Sequence, residues 1–196
     1  ARLLLREDDY IICADGGTHH AWALERRPDL VIGDMDSLEE GGWQALEIAG
    51  IPVELYPHNK NETDLELALL CAIELEPKEI LMIGALGGRL DQTMGNLALL
   101  SDTGLSTFKA RFDDGVEEVF FCRDRVEVRG RSGDLVSLIP WGGPVKGVLT
   151  EGLKWPLQRE TLYPEKTRGI SNEMVGENAG IEISSGNLLV IHRRVS

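Results

Sequence analysis

Asp34 and Asp36 stand one residue apart in the turn Gly33-Asp34-Met35-Asp36-Ser37, directly after the apolar run Leu30 to Ile32. A one-residue gap in a turn led by glycine lets both carboxylates face one ion. Three more aspartates occupy comparable places: Asp15 after the run Tyr10 to Ala14, Asp64 beside a helix-opening Thr63, and Asp91 in the loop after Ile80 to Ile83. Taken singly, each is a helix cap or a charge suited to a helix N-terminus, contributing about 1 kcal/mol. Taken together they need a cation, because two carboxylates about 4 Å apart repel by roughly 4 kcal/mol at an effective dielectric of about 20. Oxygen ligands of this type suit Mg²⁺, which takes one or two carboxylates and completes its shell with phosphate oxygens.

A place for the phosphates follows from Gly84 to Asp91, GALGGRLD. Glycines at a helix start, Gly87 and Gly88 among them, expose backbone N–H groups, and Arg89 can fork two phosphate oxygens. The plainer alternative is a tight turn carrying a surface arginine. No GxxxxGK[ST] occurs, so Walker-type phosphate binding is excluded. Lys60, just before the Asp64 helix, can add a charge to a phosphate, or can be a solvated loop lysine. Farther on, Trp155 beside Pro156 and the segment Gly169-Ile170-Ser171-Asn172-Glu173 stand out. An aromatic near carboxylates suits an organic cation, although core packing of Trp155 is the default. The four histidines show no partner spacing and receive no role. Trp22, Trp43 and Trp141 are most simply core or interface residues.

The elements that must position these groups are legible in the same stretches. Between Tyr10 and Leu100 short apolar runs alternate with helical periodicity, the pattern of βαβ units and a parallel sheet. Ligands bind such sheets at the carboxyl ends of the strands. Ser37 with Glu40, and Thr63 with Glu66, have capping-box spacing. After Thr63, Leu65, Ala68, Leu69, Ala72 and Ile73 form one apolar stripe. Beyond about Phe108 short runs punctuated by glycine and proline replace helices: Lys109 to Phe112, Val116 to Cys122, Val126 to Val128, Leu135 to Ile139, Ile181 to Ile183 and Leu188 to Ile191. Asp114-Gly115 marks a hairpin. The expected architecture is α/β, with an N-terminal parallel-sheet, Rossmann-like domain over residues 1–115 followed by an all-β sandwich over residues 116–196.

The 196 residues carry 20 Lys plus Arg against 33 Asp plus Glu, a net charge of −13. So negative a surface disfavours nucleic acid and anionic membranes as partners. No apolar run approaches the roughly 20 residues of a spanning helix. Three widely separated cysteines, Cys13, Cys71 and Cys122, lack metal or redox spacing and are expected to be buried thiols in a reducing cytoplasm.

In order, Asp15-Gly16-Gly17, the GDMDS turn, Lys60 with Thr63-Asp64, the GALGGRLDQ loop running to Asn96, GLKWPL and GISNE resemble the thiamine pyrophosphokinase (thiamine diphosphokinase) family over nearly the whole chain. The resemblance implies Mg²⁺-dependent transfer of pyrophosphate from ATP to the thiamine hydroxyl, with release of AMP. It also implies a homodimer with thiamine near the subunit interface. By position, Asp34, Asp36, Asp64 and Asp91 would be catalytic and hold Mg²⁺ and the ATP phosphates. Asp15, Lys60, Gly87, Gly88 and Arg89 would meet ATP, and Trp155, Ser171 and Asn172 would line the thiamine pocket, facing the other subunit's acids. Asn61 stands where many family members carry Asp, and Gln92 replaces a frequent His. Family members also begin with a further strand and glycine loop; these are expected to be missing here, or part of the ATP contact to be built differently. The alternatives are a non-catalytic thiamine or nucleotide binder, and a Mg²⁺-dependent phosphatase or nucleotidyl transferase, which leaves Trp155 and GISNE unexplained.

Overall fold

Val31 and Ile32 are completely buried, and all four residues of their strand are buried, as expected of a central parallel strand covered on both faces. The computed structural model that shows this describes residues 2–36 and 41–195. The chain divides into two compact units, one of Ala1–Ile80, Gly87–Leu99 and Gly104–Lys109, the other of Leu81–Leu86, Leu100–Thr103 and Ala110–Ser196.

In chain order the first part contains β1 (Ile12–Ala14), α1 (Gly17–Ala23), β2 (Leu30–Gly33), α2 (Gly42–Ile48), β3 (Val53–Leu55), α3 (Asp64–Glu74), β4 (Glu79–Met82) and α4 (Leu90–Leu100). Three of its strands form a parallel sheet in the order β1-β2-β3. Alternation along β2 sends its side chains to two cores. Val31 packs with Cys13, Ala21 of α1, Leu46 of α2 and Ile51. Leu30 and Ile32 pack with Leu67 of α3. Each buried Val, Leu or Ile among them stabilises the fold by about 1.5–3 kcal/mol relative to exposure.

The helix at Thr63 forms as expected: Thr63 is extended and its Oγ1 accepts a hydrogen bond from the Glu66 N–H at 3.2 Å. Of the expected stripe, Ala68 and Leu69 are buried, and Leu67 joins them. Leu67 and Cys71 pack against Leu30 and Ile32, while Leu65 and Ile73 are only half-buried. Asp64, Leu67 and Cys71 are spaced i, i+3, i+7, so the sheet-facing side of α3 begins with Asp64. The capping box expected at Ser37 and Glu40 lies outside the described residues.

The expected strand at Ile80 to Ile83 exists as β4, but it pairs with β5 in the larger sheet instead of extending the parallel one. Its burial alternates residue by residue, whereas β2 is buried throughout, and a strand covered on one face has no need of helices on both. The remaining strands are β5 (Lys109–Asp113), β6 (Glu117–Cys122), β7 (Arg125–Arg129), β8 (Leu135–Glu151), β9 (Gln158–Leu162), β10 (Asn172–Glu173), β11 (Asn178–Glu182) and β12 (Ser185–Arg193). They form a nine-stranded sheet in the order β4-β5-β6-β12-β8-β11-β7, with β9 and β10 also on β8. The hairpin at Asp114-Gly115 joins β5 to β6. Asp114 Oδ1 accepts the Val116 and Glu117 N–H groups at 2.7 Å each, and Gly115 takes φ +91°.

β8 runs for 17 residues and joins the two halves of the sheet, pairing with β12 through its first part and with β9 and β11 through its last. Val136, Leu138, Val145 and Val148 of β8, with Leu188, Val190, Ala179, Ile181 and Val128, form one core. The sheet therefore curls on itself. Cys13 and Cys122 are buried, and burial pushes their thiols up to about 12 and about 11. Cys71, expected inside, is only half-buried, and all three are free. Among the described residues no helix is long and apolar enough to cross a membrane.

Candidate active site

The loops after β1, β2 and β3 leave one edge of the parallel sheet, because the strands run side by side in the same direction. The first delivers Asp15, the second Asp34 and Asp36, and the third His58, Lys60 and then Asp64 at the start of α3. Carboxylate oxygens of Asp15, Asp34 and Asp64 lie within 4.8 Å of one another. A second trio, Asp34, Asp36 and His58, meets the same limit. Asp34 belongs to both.

None of these acids spends its carboxylate as a simple cap. The caps of α1, α2 and α3 are Gly16, Gly41 and Thr63. Asp15 is 7% exposed and its Oδ1 has no hydrogen-bond partner. A buried, unpartnered carboxylate oxygen costs about 1–3 kcal/mol or more. Its backbone sits at φ +41°, and Met35, between the paired aspartates, at φ +63°. Left-handed non-glycine residues cost roughly 1–3 kcal/mol each and gather at functional sites. Met35 packs into the Val31 core, and its two flanking carboxylates both approach His58, at 2.7 Å from Asp34 Oδ2 and 3.5 Å from Asp36 Oδ2.

Lys60 is the resident counter-charge. Its side chain is 10% exposed, with Nζ 2.8 Å from Asp64 Oδ1 and 3.8 Å from Asp34 Oδ2, so it is not the solvated lysine of the plainer reading. Contact with Asp64 holds its ammonium above the ordinary lysine range. The hydrogen bond from His58, with the Asp36 N–H at 3.2 Å on Oδ1, holds the Asp34 carboxyl below the ordinary range.

Gly33 shapes the floor. It sits at φ +148°, and a β-carbon there would come within 3.0 Å of both Asp15 Cβ and Asp64 Oδ1. Gly33→Ala should lower turnover by about 100-fold, the scale set by displacing a reacting group about 1 Å. Steady-state kinetics on the folded variant checks this; activity within threefold of wild type would show that the floor is not fixed by Gly33.

Asp91 and Arg89 are not in either trio. Arg89 grips Asp91 through two bonds, of 3.1 and 2.6 Å, in the first turn of α4. Gly87 and Gly88 sit at φ +84° and +70°, with open space where a β-carbon would be, so conformation and not crowding calls for glycine there.

In the second unit a cleft of about 200 Å³ is lined by Trp155, Leu157, Thr167, Arg168, Gly169, Ile170 and Asn172. Trp155 is half-exposed, and Lys154 Nζ lies 5.0 Å from its ring centre. Asn172 is buried and holds Trp155 by its backbone: Oδ1 accepts the Trp155 N–H at 3.1 Å and Nδ2 donates to its carbonyl at 2.7 Å. Ser171 sits beside the cleft, its N–H donating to Ser137 Oγ at 2.9 Å. Arg168, which the sequence did not single out, forms a two-bonded pair with Glu160 at 3.1 and 2.9 Å. His58 was missed as well. Only the adjacency of β2 and β3, invisible in local spacing, brings it to Asp34.

Comparison with known proteins gives the following. Residues 1–119 match the family model "Thiamin pyrophosphokinase, catalytic domain" and residues 124–190 match "Thiamin pyrophosphokinase, vitamin B1 binding domain". The thiamine pyrophosphokinase of Bacillus subtilis (strain 168) is 29% identical over 84% of this chain and 78% of its own length. Thiamine pyrophosphokinase 1 of Arabidopsis thaliana is 29% identical over 92% of this chain and 76% of its own length. The crystal structure of the Bacillus subtilis enzyme superimposes with a TM-score of 0.90 at 27% identity, covering 100% of this chain and 94% of that one. The Geobacillus thermodenitrificans thiamin pyrophosphokinase gives 0.86 at 28% identity, covering 100% and 91%.

Proposed function

The chain belongs to the thiamine pyrophosphokinase family and is an enzyme of that kind, and on that premise we propose that it transfers pyrophosphate from ATP to the thiamine hydroxyl with Mg²⁺, releasing AMP. The observation that carries the metal and nucleotide part of this reading is the buried, unpartnered Oδ1 of Asp15 among the carboxylates of Asp34 and Asp64. An all-oxygen donor set that includes an orphaned buried oxygen fits a hard divalent ion. Asp15, Asp34 and Asp64 would hold it, with Asp36 and Asp91 in support. Bound there, such an ion supplies neutralisation of phosphate charge, the main requirement of phosphoryl and pyrophosphoryl transfer.

The chain's own groups do the rest. Lys60, kept protonated by Asp64, holds a fixed positive charge at the inner edge of the acids. Gly87 and Gly88 leave room for backbone approach to phosphate oxygens. Arg89 carries a guanidinium that can exchange Asp91 for phosphate. Trp155 offers a half-exposed ring to the thiazolium, and Asn172 fixes the backbone beneath it. Trp155→Ala should raise the thiamine KM about tenfold while leaving the ATP KM unchanged. Initial-rate measurements with each substrate varied decide this, and an unaltered thiamine KM would remove Trp155 from the pocket.

The reading includes a Rossmann-like nucleotide domain over residues 1–115, a thiamine-binding β-sandwich over 116–196, a homodimer and a cytoplasmic location. Three free cysteines support the last, and sedimentation velocity checks the dimer. Product analysis tests the reaction. Protein, Mg²⁺, ATP and thiamine should yield AMP and thiamine diphosphate in equal amounts. ADP with thiamine monophosphate would overturn the assignment, and thiamine binding with no AMP would make the protein a binder.

A further inference from the structure

His58 has a neighbourhood that hydrogen bonding to Asp34 does not exhaust. Its Nδ1 lies 2.7 Å from Asp34 Oδ2 and 3.5 Å from Asp36 Oδ2, and its ring is 80% exposed. Two ligands at right angles on one ion, each about 2.1–2.2 Å from it, lie about 3 Å apart. The two measured separations bracket that value, and ligand atoms of all three residues lie within 4.8 Å of one another. The adjoining trio of Asp15, Asp34 and Asp64 shares Asp34, and its buried Asp15 Oδ1 is unpartnered, an independent sign that this corner accommodates a cation.

We propose that His58 supplies a nitrogen ligand beside Asp34 and Asp36, so that this outer seat takes a first-row transition ion such as Mn²⁺ in preference to Mg²⁺. The inference rests on the reading that the acids after β2 hold a divalent ion. The chemistry follows from donor type: carboxylates and water satisfy Mg²⁺, whereas an imidazole nitrogen favours transition ions. Ligation uses the Nδ1 lone pair of neutral His58, whose remaining proton sits on Nε2, and any proton on Nδ1 leaves to solvent. Lys60, 3.8 Å from Asp34 Oδ2, stays with Asp64 and leaves the His58 side of Asp34 open.

The test uses the full chain, MnCl₂ and no nucleotide, so that no adenine nitrogen contributes. Room-temperature EPR counts free Mn²⁺ during titration, with Mg²⁺ as competitor, and electron spin echo modulation reads ¹⁴N bound to the ion. Wild type should bind Mn²⁺ at least about tenfold more tightly than Mg²⁺ and show ¹⁴N modulation. His58→Ala, at an exposed site, should lose the modulation and most of the preference while keeping the far-ultraviolet dichroism of wild type. His58→Gln, which restores a hydrogen bond to Asp34 without a metal-binding nitrogen, should behave like His58→Ala. Bound Mn²⁺ without ¹⁴N modulation, or with modulation that survives in His58→Ala, overturns the nitrogen ligand and leaves the acidic site intact. Absence of Mn²⁺ binding to wild type overturns both.

Discussion

Asp34→Asn should lower thiamine diphosphate formation by about 1,000-fold or more, with an unchanged fold. Asp34 is the only side chain common to both trios of metal-competent groups among the described residues. Neutralising it removes a negative ligand from each at once. It also ends the charge-assisted contact with His58 and weakens the attraction that holds Lys60. Asp36 belongs to the outer trio alone and its side chain is 57% exposed, so Asp36→Asn should cost about tenfold less than Asp34→Asn. Side-by-side kcat values, with melting curves to show that both variants fold, rank the two. Equal losses, or a larger one at Asp36, would contradict the central position of Asp34.

The second large effect is on stability. Asp134 is 3% exposed and accepts the Arg131 N–H at 2.9 Å, the Val195 N–H at 2.9 Å and His192 Nε2 at 3.1 Å. His192 is itself fully buried, with Nδ1 3.5 Å from Glu118 Oε2. Arg194 joins the network through two 2.8 Å bonds to Asp113 and a 3.6 Å approach to Glu118. A β-carbon on Gly130 would strike Asp134 Oδ2 at 2.5 Å and His192 Nε2 at 2.7 Å, so the packing leaves no slack. Asp134→Asn keeps the shape but sets an amide N–H against donors. It should destabilise the fold by about 3 kcal/mol, the scale of breaking a buried ion pair, or lower the melting temperature by about 6–12 °C.

This network also gives stability a pH dependence. Burial alone would pull the His192 imidazolium down, but Glu118 and Asp134 more than offset it and leave it above its ordinary 6.5. Its contribution is complete below pH 6.5 and disappears as pH rises through the raised folded value. For Asp134 burial opposes ionisation, and the Val195 and Arg131 N–H groups with His192 reverse that, leaving it below 3.8. That contribution is complete above pH 3.8 and is lost as pH falls through the lowered folded value. The pair therefore stabilises most between about pH 4 and 6.5. Melting temperatures should decline above that window in wild type and flatten in Asp134→Asn. Parallel curves would assign the decline to other groups.

Much of this was legible in the chain. Thr63 and Glu66 announced a capped helix, Asp114-Gly115 a hairpin, and the aspartates after Ala14 and Ile32 a charged sheet edge, because each signal is local. What stayed hidden depends on which strands become neighbours. β3 is three residues long between Pro52 and Pro57 and shows no periodicity, yet its pairing with β2 places His58 and Lys60 against Asp34. For the same reason local spacing leaves Lys60 open between a phosphate-binding charge and a solvated loop residue. β8 crosses Pro140, Gly142, Gly143, Pro144 and Gly147, residues that signal turns, and becomes one strand because the curled sheet needs bends there. His192 shows nothing in sequence, since Asp134 and Glu118 are strangers to it until β12 pairs with β6 and β8.

Anomalous diffraction at the manganese edge, from crystals grown with Mn²⁺ and a non-hydrolysable ATP analogue, tests the ion-binding edge most directly. The account predicts a peak within bonding distance of Asp34 and of at least one of Asp15, Asp36 and Asp64, sharing its shell with a phosphate oxygen of the analogue. An ordered analogue whose metal lies away from all four carboxylates would contradict it.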